Sequence, residues 1–223
     1  MQGVLFDLDG VITDTAKFHF KAWSRLAKEK LNVELPKSFE SDLKGISRLD
    51  SMNRILKFAG LEAQYSDAEV NQFAQAKNEL YLNEISKLTQ ADILPGIENL
   101  LDELAANGVK LSVASASKNA PFILEKLGLR QQFDAIANPA KVNHGKPAPD
   151  IFIEAANQIH VDPEQCVGIE DAKAGVEAIK AAGATAVGVG STMDLNEADV
   201  VVADTSKLTY AVLEEAFEKR TEG

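Results

Sequence analysis

The chain has 223 residues, enough for one large α/β domain or a domain with a modest insert and too few for several independent cores. Hydrophobic residues at 45% and charged residues at 26% exclude a disordered, collagen-like or disulfide-scaffolded chain. With 34 acidic against 23 basic side chains the formal net charge is -11, which repels a polyphosphate backbone and argues against nucleic acid as a partner.

The first predicted element is an apolar strand, Gly3 to Leu8, running into Asp7-Leu8-Asp9-Gly10-Val11-Ile12-Thr13-Asp14. Residues two apart on a strand point the same way, so Asp7 and Asp9 are expected to address one site, with Gly10 letting the chain turn beside it. Like charges this close repel unless one is protonated or a cation lies between them, and a divalent metal with oxygen ligands suits the pair.

From Thr15 to Asp92 the signals are helical, with no convincing strand. Phe18, Ala22 and Leu26 recur at helical spacing, Ser47 and Asp50 start a helix that Gly60 closes, and Ser66 with Glu69 forms a capping box. His19 and Trp23 share a helical face just after Thr15, although Trp23 also reads as simple packing. Lys44-Gly45-Ile46-Ser47-Arg48 leads into a helix whose N-terminus and Arg48 guanidinium suit a phosphate. Alternatively Arg48 is a solvated first-turn residue, but there it opposes the helix dipole. Ser51 lies one turn on and reads equally as an ordinary surface serine. Lys77 occupies the apolar stripe of Val70, Phe73, Leu80 and Tyr81, where a lysine either snorkels outward or points into a cleft.

Pro95-Gly96 marks a return to alternating elements. Strands are expected at Val109 to Ala114, Ala135 to Ala137, Cys166 to Ile169, Ala184 to Val189 and Val200 to Ala203. Helices are expected at Ile97 to Ala106, Pro121 to Leu127, Pro149 to Ile159, Ala172 to Ala182 and Leu208 to Lys219. Such alternation means a parallel sheet covered on both faces. The expected fold is therefore a doubly wound, Rossmann-like α/β core, residues 1–14 and 93–223, with an inserted all-helical cap domain, residues 15–92. Thr15 and the segment Ala91 to Leu94 carry the two crossings and make a natural hinge.

Within the core, Ser115-Ala116-Ser117-Lys118-Asn119 joins a strand end to a helix start, an anion-binding setting that also reads as a serine-rich turn with Asn119 as cap. Lys146 is expected in extended backbone before Pro147 and ahead of a helix. Glu170 and Asp171 end another apolar strand, so four carboxylates at two strand ends offer the hard oxygen ligands that Mg²⁺ requires. Gly188-Val189-Gly190-Ser191-Thr192 lacks the lysine of a P-loop and reads as a strand end and turn. His144 and His160 read as loop and surface residues. The lone cysteine, Cys166, forbids an internal disulfide and reads as a small buried hydrophobe in a reducing, cytoplasmic setting. The longest charge-free stretch, Ala181 to Met193, falls short of the roughly 20 residues of a membrane span, and no signal peptide is apparent.

Asp7 to Asp14, Ser115-Ala116-Ser117, Lys146-Pro147 and Glu170-Asp171, in that order, resemble the four motifs of the haloacid dehalogenase superfamily of phosphotransferases. From end to end, helical cap included, the chain is similar to the sugar-phosphate mutases of that superfamily. The resemblance implies that Asp7 is a nucleophile forming an aspartyl phosphate, that Asp9 is a general acid and base, and that Ser115 and Lys146 hold the transferring phosphate. It implies Mg²⁺ bound by Asp7, the Asp9 carbonyl, Glu170 and Asp171. It implies substrate contacts from Thr15, His19, Trp23, Lys44, Gly45, Arg48, Ser51, Lys77, Ala116, Ser117, Lys118 and Asn119, and it favours the cleft for Lys77. The expected reaction exchanges β-glucose 1-phosphate and glucose 6-phosphate, with β-glucose 1,6-bisphosphate as intermediate and activator. The alternative is a phosphatase acting on a small sugar phosphate or phosphoglycolate. A cytoplasmic monomer whose partner is a small sugar phosphate, with neither nucleic acid nor membrane, completes the expectation.

Overall fold

The computed structural model describes residues 1–43 and 46–222, with side chains through residue 220. Its core is a six-stranded parallel sheet of β1 (Gly3–Phe6), β2 (Lys110–Val113), β3 (Ala135–Ile136), β4 (Cys166–Glu170), β5 (Thr185–Val189) and β6 (Val200–Val202). The strand order is β3-β2-β1-β4-β5-β6, the doubly wound arrangement, in which ligands bind outside the carboxyl ends of the strands where the order reverses. Here the reversal lies between β1 and β4, whose register pairs Phe6 with Ile169. The interior strands β1 and β4 are buried along their whole length, which is why they read as unbroken apolar runs.

This unit also holds the α-helices α4 (Ile97–Ala106), α5 (Ala120–Leu127), α6 (Asp150–Gln158), α7 (Lys173–Ala181) and α8 (Tyr210–Glu222). Ile151, Phe152, Ala155, Ile179, Leu5 and Ala186 lie in one buried cluster. Arg220 of α8 donates to Thr185 Oγ1 at 2.8 Å and to the Glu164 carbonyl at 2.7 Å. The unit comprises Met1–Asp14 and Thr89–Gly223. Its two chain crossings are tied together: Leu94 N–H donates to the Ile12 carbonyl at 2.9 Å and Thr13 Oγ1 to the Asp92 carbonyl at 2.8 Å.

The second unit, Thr15–Leu88, is helical. It contains α1 (Ala16–Leu26), continued by a π-helical turn over Ala27–Leu31, a 3₁₀ segment Lys37–Leu43, α2 (Arg48–Ala59) and α3 (Asp67–Ile85). The serine caps anticipated in the sequence are both made. Ser47 accepts from Asp50 N–H, Ser66 and Glu69 form the full capping box, and Gly60 closes α2 at φ 67°. Trp23, Leu26, Met52, Ile55 and Leu56 form the core of this unit. Among the described residues, no helix is long and apolar enough to cross a membrane.

The first strand is shorter than the apolar run suggests: it ends at Phe6, so Asp7 to Asp9 lie beyond the sheet. Gly10 N–H donates to the Thr13 carbonyl at 2.8 Å and Ile12 N–H to the Leu8 carbonyl at 3.0 Å, folding the acidic stretch into a tight turn. Strand alternation therefore does not relate Asp7 to Asp9.

Candidate active site

Because Phe6 lies beside Ile169, the residues that follow them, Asp7 and Glu170, emerge side by side at the switch point. Asp7 N–H donates to the Ile169 carbonyl at 3.0 Å, fixing the backbone under the carboxylate. Lys146 reaches this edge from the loop before α6. Its Nζ donates to Asp7 Oδ1 at 2.6 Å and to Glu170 Oε1 at 2.7 Å. The ammonium also lies 4.8 Å from the centre of the Phe152 ring. The other Glu170 oxygen accepts from Ala172 N–H at 2.7 Å. Lys146 is 6%, Asp7 8% and Glu170 1% exposed, so these ion pairs operate largely out of water. The Lys146–Pro147 peptide is cis.

Candidate ligand oxygens of Asp7, Glu170 and Asp171 all lie within 4.8 Å of one another. Asp9, the fourth acidic residue of the sequence pattern, is close enough to act electrostatically on Asp7. Gly10 has φ +86°, and a Cβ there would lie 2.2 Å from Asp171 Oδ2, so this residue leaves the space that Asp171 occupies. The Lys146 ammonium is shared between the Asp7 and Glu170 carboxylates. Burial raises the Asp7 carboxyl well above the ordinary carboxylate range; Lys146 opposes this, while Glu170 and Asp9 reinforce it. Burial alone would lower Lys146, but Asp7 and Glu170 outweigh it and keep the ammonium charged. Hard oxygens clustered in this way fit a divalent cation such as Mg²⁺.

Ser115 is buried just past β2, whose end pairs with β1 through Phe6 and Val113. Its Oγ accepts from Ser117 N–H at 3.1 Å, and Ser117 Oγ accepts from Asn119 N–H at 3.2 Å. Ala116 and Lys118 lie in the same turn ahead of α5, the latter exposed. The serine turn thus belongs to the same carboxyl edge of the sheet as Asp7.

The other anticipated residues belong to the helical unit, where they form a cluster of their own. Lys77 is 2% exposed and does not snorkel. Its Nζ lies 2.6 Å from His19 Nδ1 and less than 5 Å from the ring centres of Trp23 and Tyr81. In the tautomer with its proton on Nε2, the imidazole accepts from the Lys77 ammonium at Nδ1. Burial, then Lys77 and Arg48, lowers the His19 pKa well below its ordinary value. Thr15 is buried, and its Oγ1 accepts from Tyr81 OH at 3.1 Å. Arg48 donates to Asn78 Oδ1 at 2.7 Å. Ser51 is buried rather than exposed, and its hydroxyl donates to the Ser47 carbonyl at 2.9 Å. Lys44 and Gly45 lie outside the described residues.

Asn78, buried beside Lys77 on α3, escapes the sequence reading, although a second polar residue next to a lysine on an apolar stripe is its visible trace. Gly175 also escapes it. A Cβ there would lie 1.8 Å from Glu170 Oε1, so only glycine makes room for that carboxylate.

A family model for haloacid dehalogenase-like hydrolases matches residues 1–183. The chain is 47% identical to a β-phosphoglucomutase of Bacillus subtilis (strain 168), over 98% of this chain and 96% of that one. It is 31% identical to a fructose-1-phosphate phosphatase of Escherichia coli (strain K12), over 84% of this chain and 95% of the relative. A crystal structure of β-phosphoglucomutase from Clostridium difficile superposes with a TM-score of 0.97 at 41% identity, covering 100% of both chains.

Proposed function

This chain belongs to the family of haloacid dehalogenase-like hydrolases, and from that premise we propose that it is a Mg²⁺-dependent phosphoglucomutase interconverting β-glucose 1-phosphate and glucose 6-phosphate. The observation that carries the reading is Lys146 held between Asp7 and Glu170 at 2.6 and 2.7 Å in a chain 47% identical to a β-phosphoglucomutase.

Asp7 is the nucleophile. Its carboxylate oxygen forms a bond to phosphorus as the bond from phosphorus to the sugar oxygen breaks, and Asp9 gives its proton to that departing oxygen. In the return half-reaction a sugar hydroxyl passes its proton to Asp9 and takes the phosphoryl group from Asp7. The Lys146 ammonium relieves the repulsion between carboxylate and phosphate. A stabiliser of this type is worth about 3 kcal/mol of barrier. Asp7, Glu170 and Asp171, with the Asp9 carbonyl, are the residues that would hold Mg²⁺, which supplies further neutralisation of phosphate charge when bound. Ser115 contacts the transferring phosphate, and Ala116, Ser117, Lys118 and Asn119 complete that turn. Arg48 and Ser51, with Lys44 and Gly45, serve the second phosphate of a β-glucose 1,6-bisphosphate intermediate. Thr15, His19, Trp23 and Lys77 contribute to sugar recognition. The setting is taken to be a reducing cytoplasm, in keeping with the free, buried Cys166, and the protein to act as a monomer.

The test supplies Mg²⁺, either anomer of glucose 1-phosphate and a trace of the bisphosphate, and follows glucose 6-phosphate and free phosphate together. Glucose 6-phosphate from the β anomer alone is expected, and Asp7→Asn abolishes it. Stoichiometric free phosphate would instead favour a phosphatase on a small sugar phosphate or phosphoglycolate, a reading supported by the 31% identity to the fructose-1-phosphate enzyme.

A further inference from the structure

Lys146 is set in a short loop whose two ends are joined by one carboxylate. Asp150, the first residue of α6, accepts at Oδ2 from the His144 backbone N–H at 3.1 Å. The same oxygen lies 3.2 Å from His144 Nδ1, which donates in the tautomer that carries its proton there. The His144 backbone N–H is the main influence holding the Asp150 carboxyl below its ordinary value, and the Asn143 backbone N–H adds to it. Between these ends, Ala148 N–H donates to the Gly145 carbonyl at 3.0 Å, forming a turn with Lys146 and Pro147 at its centre. A carboxylate at the first position of a helix is also favoured by the helix dipole.

The lysine has four rotatable side-chain bonds, yet its ammonium must meet two carboxylates at once. That is achieved reproducibly only if the backbone beneath it has a fixed direction. We infer that Asp150 is a positioning residue for Lys146: by clamping the loop from residue 143 to residue 150 onto the start of α6, it aims the Lys146 side chain at Asp7 and Glu170. The inference rests on the role of Lys146 given above. An ordinary helix-start aspartate would make the same bonds without any effect on the ammonium, so the test must observe Lys146 itself.

The full-length protein with ¹⁵N-labelled lysine gives a side-chain NH₃⁺ resonance for Lys146, assigned by its loss in Lys146→Met and slowed in exchange by burial. In Asp150→Ala that resonance is expected to broaden or shift, with kcat for the mutase cycle falling about tenfold to a hundredfold while KM changes less than kcat. Asp150→Asn keeps one acceptor oxygen and is expected to lie between the two. His144→Ala keeps the backbone bond and should lose less than Asp150→Ala. A resonance unchanged in both Asp150 variants overturns the inference, whether or not their thermal stability falls. If Asp150→Ala does not fold, the Asp150→Asn resonance alone decides. Should the wild-type protein lack mutase activity, the function reading fails, and the resonance still decides the clamp.

Discussion

Glu170 shares its place with a residue that has no side chain. Alanine in place of glycine inside a helix usually stabilises a protein by roughly 0.5–1 kcal/mol. At Gly175 of α7 the sign should reverse, because the added methyl would sit 1.8 Å from Glu170 Oε1 and 2.0 Å from its Cδ. Gly175→Ala is expected to lower stability by about 1–3 kcal/mol in denaturant unfolding, as overpacking does. It should also depress turnover by displacing a partner of Lys146. A variant as stable and active as the parent would contradict the described position of Glu170. None of this is visible in the sequence, where Gly175 is one more small residue in a helical stretch. Asp7, Lys146, Glu170 and Asp171 are legible because buried charge needs a reason to exist and they stand at strand ends or next to a proline. Their mutual distances depend on the pairing of Phe6 with Ile169, which no local pattern encodes.

At the scale of elements, α1 and α3 bring His19 against Lys77, residues 58 positions apart. Helical periodicity assigns each residue a face of its own helix. Which faces meet depends on contacts between the two helices, Trp23 and His19 of α1 against Lys77 and Tyr81 of α3, so the pair was not foreseeable. The caps of α2 and α3 were readable because capping is a local exchange between residues three apart. The His19 pair carries a pH signature. Its folded pKa lies below the ordinary 6.5, so below that pH the unfolded chain binds the extra proton first. The stabilising contribution is complete above pH 6.5 and is lost as the pH falls from there through the lowered folded value, with a slope of at most about 1.4 kcal/mol per pH unit. His19→Gln should flatten this part of the stability profile, measured by urea unfolding between neutral and mildly acidic pH. An unchanged slope would mean that His19 titrates alike in folded and unfolded chains.

For the molecule as a whole, alternating strands and helices disclosed the doubly wound sheet, and the change to purely helical signals after Asp14 disclosed an insert. The strand order could not be read from alternation alone, since many orders satisfy it. Here β1, the first of the six strands in chain order, lies in the middle of the sheet, with Gly3 paired to Lys110 on one side and Cys166 on the other. At synthesis rates of about 5–20 residues per second, its second neighbour, β4, follows it by roughly ten to thirty seconds. Helical contacts within Thr15–Leu88 close over much shorter sequence separations and can be made during that wait. Nascent chains stalled before Cys166 leaves the exit tunnel should therefore expose Val4, Leu5 and Phe6 to a limiting protease, and longer chains should protect them. Early protection would mean that the opening segment finds shelter without its later neighbour. During that interval, a chaperone that grips short apolar segments has its best opportunity to hold this chain.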